Sequence, residues 1–116
     1  MEVHSPRDYF AAVVANPREP RLAGAHGTCV FDLGDDGVWS LHVEDGTLSV
    51  SQGAVDQPTC KLTMPAHVFV RLARGDGHDN LTTALLRGAV FFEGELRFAA
   101  NLMTIVPMPE RWSRAA

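Results

Sequence analysis

Between residues 28 and 64 the chain runs through four short stretches in which apolar and polar side chains alternate, and the first three are separated by turn chemistry. A period of two belongs to a β-strand with one buried and one solvated face. In Thr28 to Leu33, Cys29, Phe31 and Leu33 oppose Thr28, Val30 and Asp32. In Val38 to Glu44, Trp39, Leu41 and Val43 oppose Ser40, His42 and Glu44. Leu48 and Val50 then oppose Thr47, Ser49 and Ser51, and in Thr59 to Met64 the residues Cys60, Leu62 and Met64 oppose Thr59, Lys61 and Thr63. Gly34-Asp35-Asp36-Gly37 and Asp45-Gly46 supply the reversals, the second being a strong hairpin signal. The expectation is one meandering antiparallel sheet whose apolar face has to be covered.

Helical spacing supplies the cover. Ser5 is placed to cap and Pro6 to open a helix over about residues 6 to 15, with Tyr9, Phe10, Val13 and Val14 as its apolar stripe. After a breaker-rich loop and the strands, Pro65 opens a helix carrying Val68, Phe69, Leu72 and Ala73, stopped at Gly75. Asn80 is placed to cap a short helix with Leu81, Ala84 and Leu85, ended by Gly88. A fifth strand, Ala89 to Glu93, precedes a last helix over Glu95 to Val106, whose spacing runs through Leu96, Ala99, Leu102, Met103 and Val106 until Pro107 and Pro109 stop it. The fold class is therefore α+β: a five-stranded, mostly antiparallel sheet with one apolar face covered by about four helices.

At 116 residues this is a single domain, residues 1–116, with a core of about 6–106 and a tail over 107–116. Charge narrows the partners. The 14 acidic against 10 basic residues leave a net charge of −4 and no Lys/Arg block, so a nucleic-acid backbone is not an expected partner. No apolar run approaches the ~20 residues a bilayer span needs, and the first residues lack the pattern of a signal peptide, which points to the cytoplasm. Only Lys61 among the basic residues is lysine, a skew that fits a GC-rich bacterial source.

Taken in order, Phe31-Asp32-Leu33-Gly34-Asp35-Asp36-Gly37-Val38-Trp39-Ser40-Leu41-His42-Val43, the Asp45-Gly46 hairpin, Cys60-Lys61-Leu62-Thr63-Met64 leading into Phe69 and Leu72-Ala73-Arg74-Gly75, Leu85-Leu86-Arg87-Gly88, and Phe92-Glu93-Gly94-Glu95-Leu96 resemble the sterol carrier protein domain family. The resemblance covers about residues 6 to 106. It implies a cavity for lipids or other hydrophobic molecules between sheet and helices, and here it would place Trp39, Phe69, Leu72, Leu85, Phe92, Leu102, Met103 and Val106 near a ligand. Two features depart from the family pattern. Pro65 stands where such domains often carry a Ser or Thr cap, and Ser113-Arg114-Ala115-Ala116 differs from the peroxisomal address of many eukaryotic relatives.

The residues alone leave that ligand reading beside a plainer one, because each of the eight positions also suits a filled core. Met64, Met103 and Met108 suit an adaptable apolar wall equally. The tail, with Met108, Arg111, Trp112 and Arg114, is either frayed or an amphipathic segment able to close a cavity mouth or make transient contact with a membrane. His42 and Glu44 share a strand's polar face, with Asp32 as a cross-strand neighbour able to polarise the imidazole, but no adjacent nucleophile or catalytic motif accompanies them, so no catalytic residue is assigned. Cys29 and Cys60 read as reduced apolar fillers on the face opposite His42, so these residues cannot share a metal, and no cofactor is implied. A carrier of a fatty-acyl, sterol-like or isoprenoid molecule is the leading reading. The alternatives are a small enzyme or cyclase-like chaperone for a hydrophobic biosynthetic intermediate, and a ligand-free accessory or dimerisation domain.

Overall fold

The computed structural model describes residues 3–75, 81–102, 104–109 and 112. Its elements are α1 (Pro6–Ala15), β1 (His26–Asp32), β2 (Val38–Glu44), β3 (Thr47–Gln52), β4 (Cys60–Thr63), α2 (Ala66–Arg74), α3 (Leu81–Leu86), β5 (Phe91–Gly94) and α4 (Leu96–Leu102), with single 3-10 turns at Pro20–Leu22 and Gly34–Asp36. Local chemistry explains most boundaries. The Ser5 hydroxyl accepts from the Asp8 N–H at the start of α1, Gly75 ends α2 in the left-handed region at φ 69°, and Asp45 and Gly46 take φ 49° and 82°, as a type I′ hairpin requires.

One sheet holds all five strands in the order β3-β2-β1-β4-β5. The first three form the expected antiparallel meander, but β4 adds to the far side of β1 and runs parallel to it, correcting the expectation of one continuous meander. Residues 53–59 therefore cross the sheet to reach the other side of β1. Their passage explains why Val30 and Ser40, on the face away from the helices, are 1% and 0% exposed. Ser40 Oγ donates to the Gly53 carbonyl at 2.6 Å, and Thr59 N donates to the Thr28 carbonyl at 2.9 Å, so the crossover is bonded at both ends. Alternation alone marks a strand's faces and leaves its neighbour open.

Register lines up two apolar rows on the helix-covered face: Val50, Leu41, Cys29 and Cys60, then Trp39, Phe31, Leu62 and Phe92. α1 lies over the β3 side and against α2, whereas α4 lies over β1 and β4. Two helical stripes differ from expectation. Val14 is exposed, and α1 buries Pro6 and Ala12 alongside Tyr9, Phe10 and Val13. In α4, which stops at Leu102, Leu96 is exposed and Phe98 turns inward with Ala99 and Leu102. Gly27 makes room for that ring: a Cβ there would stand 2.9 Å from it.

The segment after α4 packs onto the domain. Tyr9 Oη donates to the Ile105 carbonyl at 2.5 Å, Met108 N donates to the Ala73 carbonyl at 2.8 Å, and the buried Trp112 ring lies 6.1 Å from that of Tyr9. Ile105, Val106 and Trp112 are thus buried in the core, with Met108 packed against it, rather than frayed. Arg111 and Arg114, expected to complete an amphipathic tail, lie outside the described residues.

Burial, and less strongly the neighbouring Cys29, holds the Tyr9 phenol far above its ordinary value of 10.0. The unfolded chain releases this proton near pH 10 and the folded chain does not. The stabilisation is therefore complete below about pH 10 and is lost as pH rises beyond it. Tyr9 is the sole tyrosine, so tyrosinate absorbance reports it alone. It should titrate near pH 10 in denaturant, but in the native protein it should appear only together with unfolding at higher pH. Native titration near pH 10 with the fold intact would contradict this packing.

Candidate functional site

The interior divides into a filled half and a loosely covered half. Phe10 stacks on Trp39 at 4.9 Å between ring centroids and on Phe69 at 5.5 Å, while Tyr9 and Phe31 meet the Phe69 ring edge-on. Trp39 and Phe69, both expected near a ligand, sit inside this aromatic stack. The indole N–H groups of Trp39 and Trp112 are buried and find no acceptor among the described residues.

The second half lies under α2, α3 and the β5 edge. α3 has six residues, of which only Leu81 and Ala84 are buried, and an isolated helix this short is not stable by itself. A crevice of about 70 Å³ separates α2 from α3, lined by Val68, Arg71, Leu72, Ala84, Arg87 and Ala89. Among the described residues, Leu72 is the one expected ligand neighbour on this lining. Leu85 and Phe92 pack half-buried against the core, Phe92 in register with Leu62, and Leu102 and Val106 are buried. Met103 lies outside the described residues, as does Asn80, the expected cap of α3. Ala84 reads in the sequence as an apolar position of a short helix and Ala89 as the start of a strand, and nothing there ties either of them, Arg71 or Arg87 to a site.

A separate open groove of about 660 Å³ runs along the C-terminal ends of β1 and β4 to residues 88–91, with Asp32, Asp35, Asp36 and His67 among its polar walls. Of the eight expected ligand neighbours, none of the seven described lines it. On the sheet's other face, His42 Nδ1 lies 3.0 Å from Thr28 Oγ1 and its Nε2 lies 2.9 Å from Ser51 Oγ. The imidazole is engaged by hydroxyls on both sides, and Asp32, in register with Val38, is not its neighbour. Glu44 lies 2.9 Å from His26 instead, in an exposed pair worth about 0–1 kcal/mol.

Cys29 and Cys60 face one another across β1 and β4, both buried as free thiols. The interaction between them, and then burial, pushes the Cys29 thiol up, while the same interaction lowers that of Cys60. Among the described residues no three His, Cys, Asp or Glu side chains could hold a metal ion, and no helix is long and apolar enough to cross a membrane.

Known structures share this fold. The sec-alkylsulfatase Pisa1 from Pseudomonas sp. superposes with a TM-score of 0.73 at 16% identity, covering 90% of this chain and 17% of the sulfatase, so the chain spans a small part of that protein's length. Sterol Carrier Protein 2 Like 2 from Aedes aegypti gives 0.63 at 22% identity, covering 86% of this chain and 91% of that one. The palmitated SCP2L2 from Aedes aegypti gives 0.57 at 21% identity, covering 86% and 88%. No curated protein matches the chain by sequence. The model of the SCP-2 sterol transfer family, however, matches residues 10–107, nearly the whole chain. The chain belongs to the SCP-2 sterol transfer family.

Proposed function

We propose that this domain binds and carries a hydrophobic small molecule, fatty-acyl, sterol-like or isoprenoid in class, in the space between α2, α3 and the β4–β5 side of the sheet. The observation that carries the reading is the unevenness of the interior. A tightly stacked aromatic half gives the scaffold rigidity, and the other half keeps an apolar crevice beneath a helix that contributes little burial. A family neighbour described as palmitated supports an acyl chain as one occupant. At about 70 Å³ the crevice holds only a couple of water volumes, whereas a typical ligand pocket has ~300–1,000 Å³. Loading therefore requires α3 to move away from α2. Ligand contacts then replace the α3 packing, and the driving force is burial of apolar ligand surface at about 25 cal/mol per Å² before association costs.

Filling the crevice tests this. Ala84→Leu places a larger side chain on its wall and keeps a good helix former in α3. It is expected to weaken binding of a fluorescent long-chain fatty acid by at least about tenfold while the melting temperature holds or rises. Unchanged affinity in a folded variant would remove the ligand from this crevice. A second reading, a ligand-free accessory domain, draws support from the fold's occurrence as 17% of a much longer sulfatase. It predicts no binding by either protein.

A further inference from the structure

We infer that the outer edge of β5 is a self-association surface, through which two copies of this chain pair antiparallel about a two-fold axis, Phe92 against Phe92, and join their sheets into one. The inference is independent of the carrier reading. β3 and β5 are the two outer strands of the sheet. β3 is protected: Arg18 bridges to Thr47, Leu48 N donates to the Pro17 carbonyl at 2.6 Å, and its exposed side chains, Thr47, Ser49, Ser51 and Gln52, are polar. β5 carries Phe91-Phe92 in sequence, without lysine, proline or, among the described residues, a bridge on its outer side, which leaves its four-residue length as its one defence. Three of the four large apolar side chains exposed among the described residues fall on or beside it: Leu86 at 84%, Phe91 at 63% and Leu96 at 64%.

The hydrogen-bond phase of β5 identifies the backbone groups that face outward. Glu95 N donates to the Thr59 carbonyl at 2.9 Å, one step beyond the Cys60–Gly94 match of the β4–β5 register. Bonded and non-bonded positions alternate along an antiparallel pair, so Glu93 and Phe91 direct their N–H and C=O groups to Lys61 and Thr63, whereas Phe92 and Gly94 direct theirs away from β4. The close approach of Gly94 to Cys60 agrees, since the non-bonded positions are the nearer ones: a Cβ on Gly94 would stand 2.7 Å from Cys60 Cα. No backbone group among the described residues takes up the outward set.

A second copy of the chain satisfies that set. A two-fold antiparallel pairing has to bring outward-facing residues opposite one another, which centres the axis on Phe92, Glu93 or Gly94. Centring on Glu93 opposes that carboxylate to itself, and centring on Gly94 opposes Glu93 to Glu95, both destabilising. Centring on Phe92 lets the two Phe92 residues exchange both backbone bonds and places Phe91 of each copy opposite Glu93 of the other. The antiparallel sense also carries the end of each β5, followed by Leu96, toward the start of the other strand and its Leu86. Charge permits the contact. The chain has a net charge of −4, yet residues 86–97 hold two arginines, Arg87 and Arg97, and two glutamates, Glu93 and Glu95, a balanced stretch that a second copy approaches without repulsion.

Sedimentation velocity from about 1 μM to about 1 mM protein tests this, and the expected result is a monomer–dimer equilibrium with its midpoint inside that range, as suits a small interface. Phe91→Lys is expected to raise the dimer dissociation constant at least about tenfold, whereas Ser49→Lys, the same charge on the opposite edge strand, leaves it unchanged. Backbone amide exchange identifies the strand without any substitution. The Phe92 and Gly94 N–H groups should become protected as concentration rises through the midpoint, while that of Glu93, already directed to β4, should not change. A protein that stays monomeric to about 1 mM leaves the edge to an extended segment of another protein and overturns the inference. A dimer that withstands Phe91→Lys, or that forms with exchange at Phe92 and Gly94 unaltered, overturns it as well. If Phe91→Lys does not fold, the exchange pattern of the wild-type protein decides.

Discussion

Replacing Phe10 with alanine is expected to cost about 3–5 kcal/mol, the largest effect of any single truncation in this domain. The ring is 2% exposed and meets Tyr9, Phe31, Trp39 and Phe69, two of them face to face at 4.9 and 5.5 Å. Its removal takes away burial, leaves a cavity among groups that are themselves rings, and ends one of the contacts joining α1 to the sheet and to α2. The cost consumes a large part of the roughly 5–15 kcal/mol that stabilises a typical domain. Urea unfolding followed by tryptophan fluorescence checks it, because Trp39 stacks directly on Phe10. A loss below about 1 kcal/mol, with the wild-type emission spectrum retained, would mean the stack is not the keystone of the core.

Gly94→Ala is expected to be comparably severe for a different reason. Gly94 ends β5 at φ 110°, a backbone region that residues with a Cβ rarely adopt. It also sits directly against β4: an added Cβ would stand 2.5 Å from the Thr59 carbonyl oxygen and 2.7 Å from Cys60 Cα. Both are backbone atoms, so no side chain can swing aside. Backbone strain and overpacking each contribute about 1–3 kcal/mol, and together they should detach the end of β5 or prevent folding. Thermal unfolding of the purified variant measures the loss, and Gly53→Ala is an instructive control. Gly53 has a similar positive φ of 92° but open space around its Cβ position, so it should lose only the conformational part.

Much of this architecture is visible in the sequence because its causes are local. The Asp45-Gly46 turn fixes the β2–β3 register, and alternation with period two marks both faces of the first four strands. The helix starting after Pro65 and stopping at Gly75 is equally local. What stayed hidden depends on contacts distant in the chain. The parallel partnership of β1 and β4 follows from a crossover that carries no pattern of its own, and the inward turn of Phe98 in place of Leu96 follows from the space above Gly27. Tyr9 reaching the Ile105 carbonyl, which ties down residues after α4, spans nearly the whole chain.

The site was legible only in outline. Apolarity looks the same in a filled core as in a lined crevice, so Trp39 and Leu72 were indistinguishable in sequence although one is stacked on Phe10 and the other borders open space. The alanines and arginines that complete the crevice gain meaning only when α2 and α3 are set side by side. Family likeness did not separate these roles.

Native mass spectrometry of the purified protein, before and after exposure to long-chain acyl and sterol ligands, tests the carrier reading most directly. The account predicts a one-to-one complex whose passenger, released by organic extraction, is a hydrophobic molecule, and predicts that Ala84→Leu loses it. A bare protein mass that persists through every ligand challenge would contradict it and leave the fold as a scaffold without cargo.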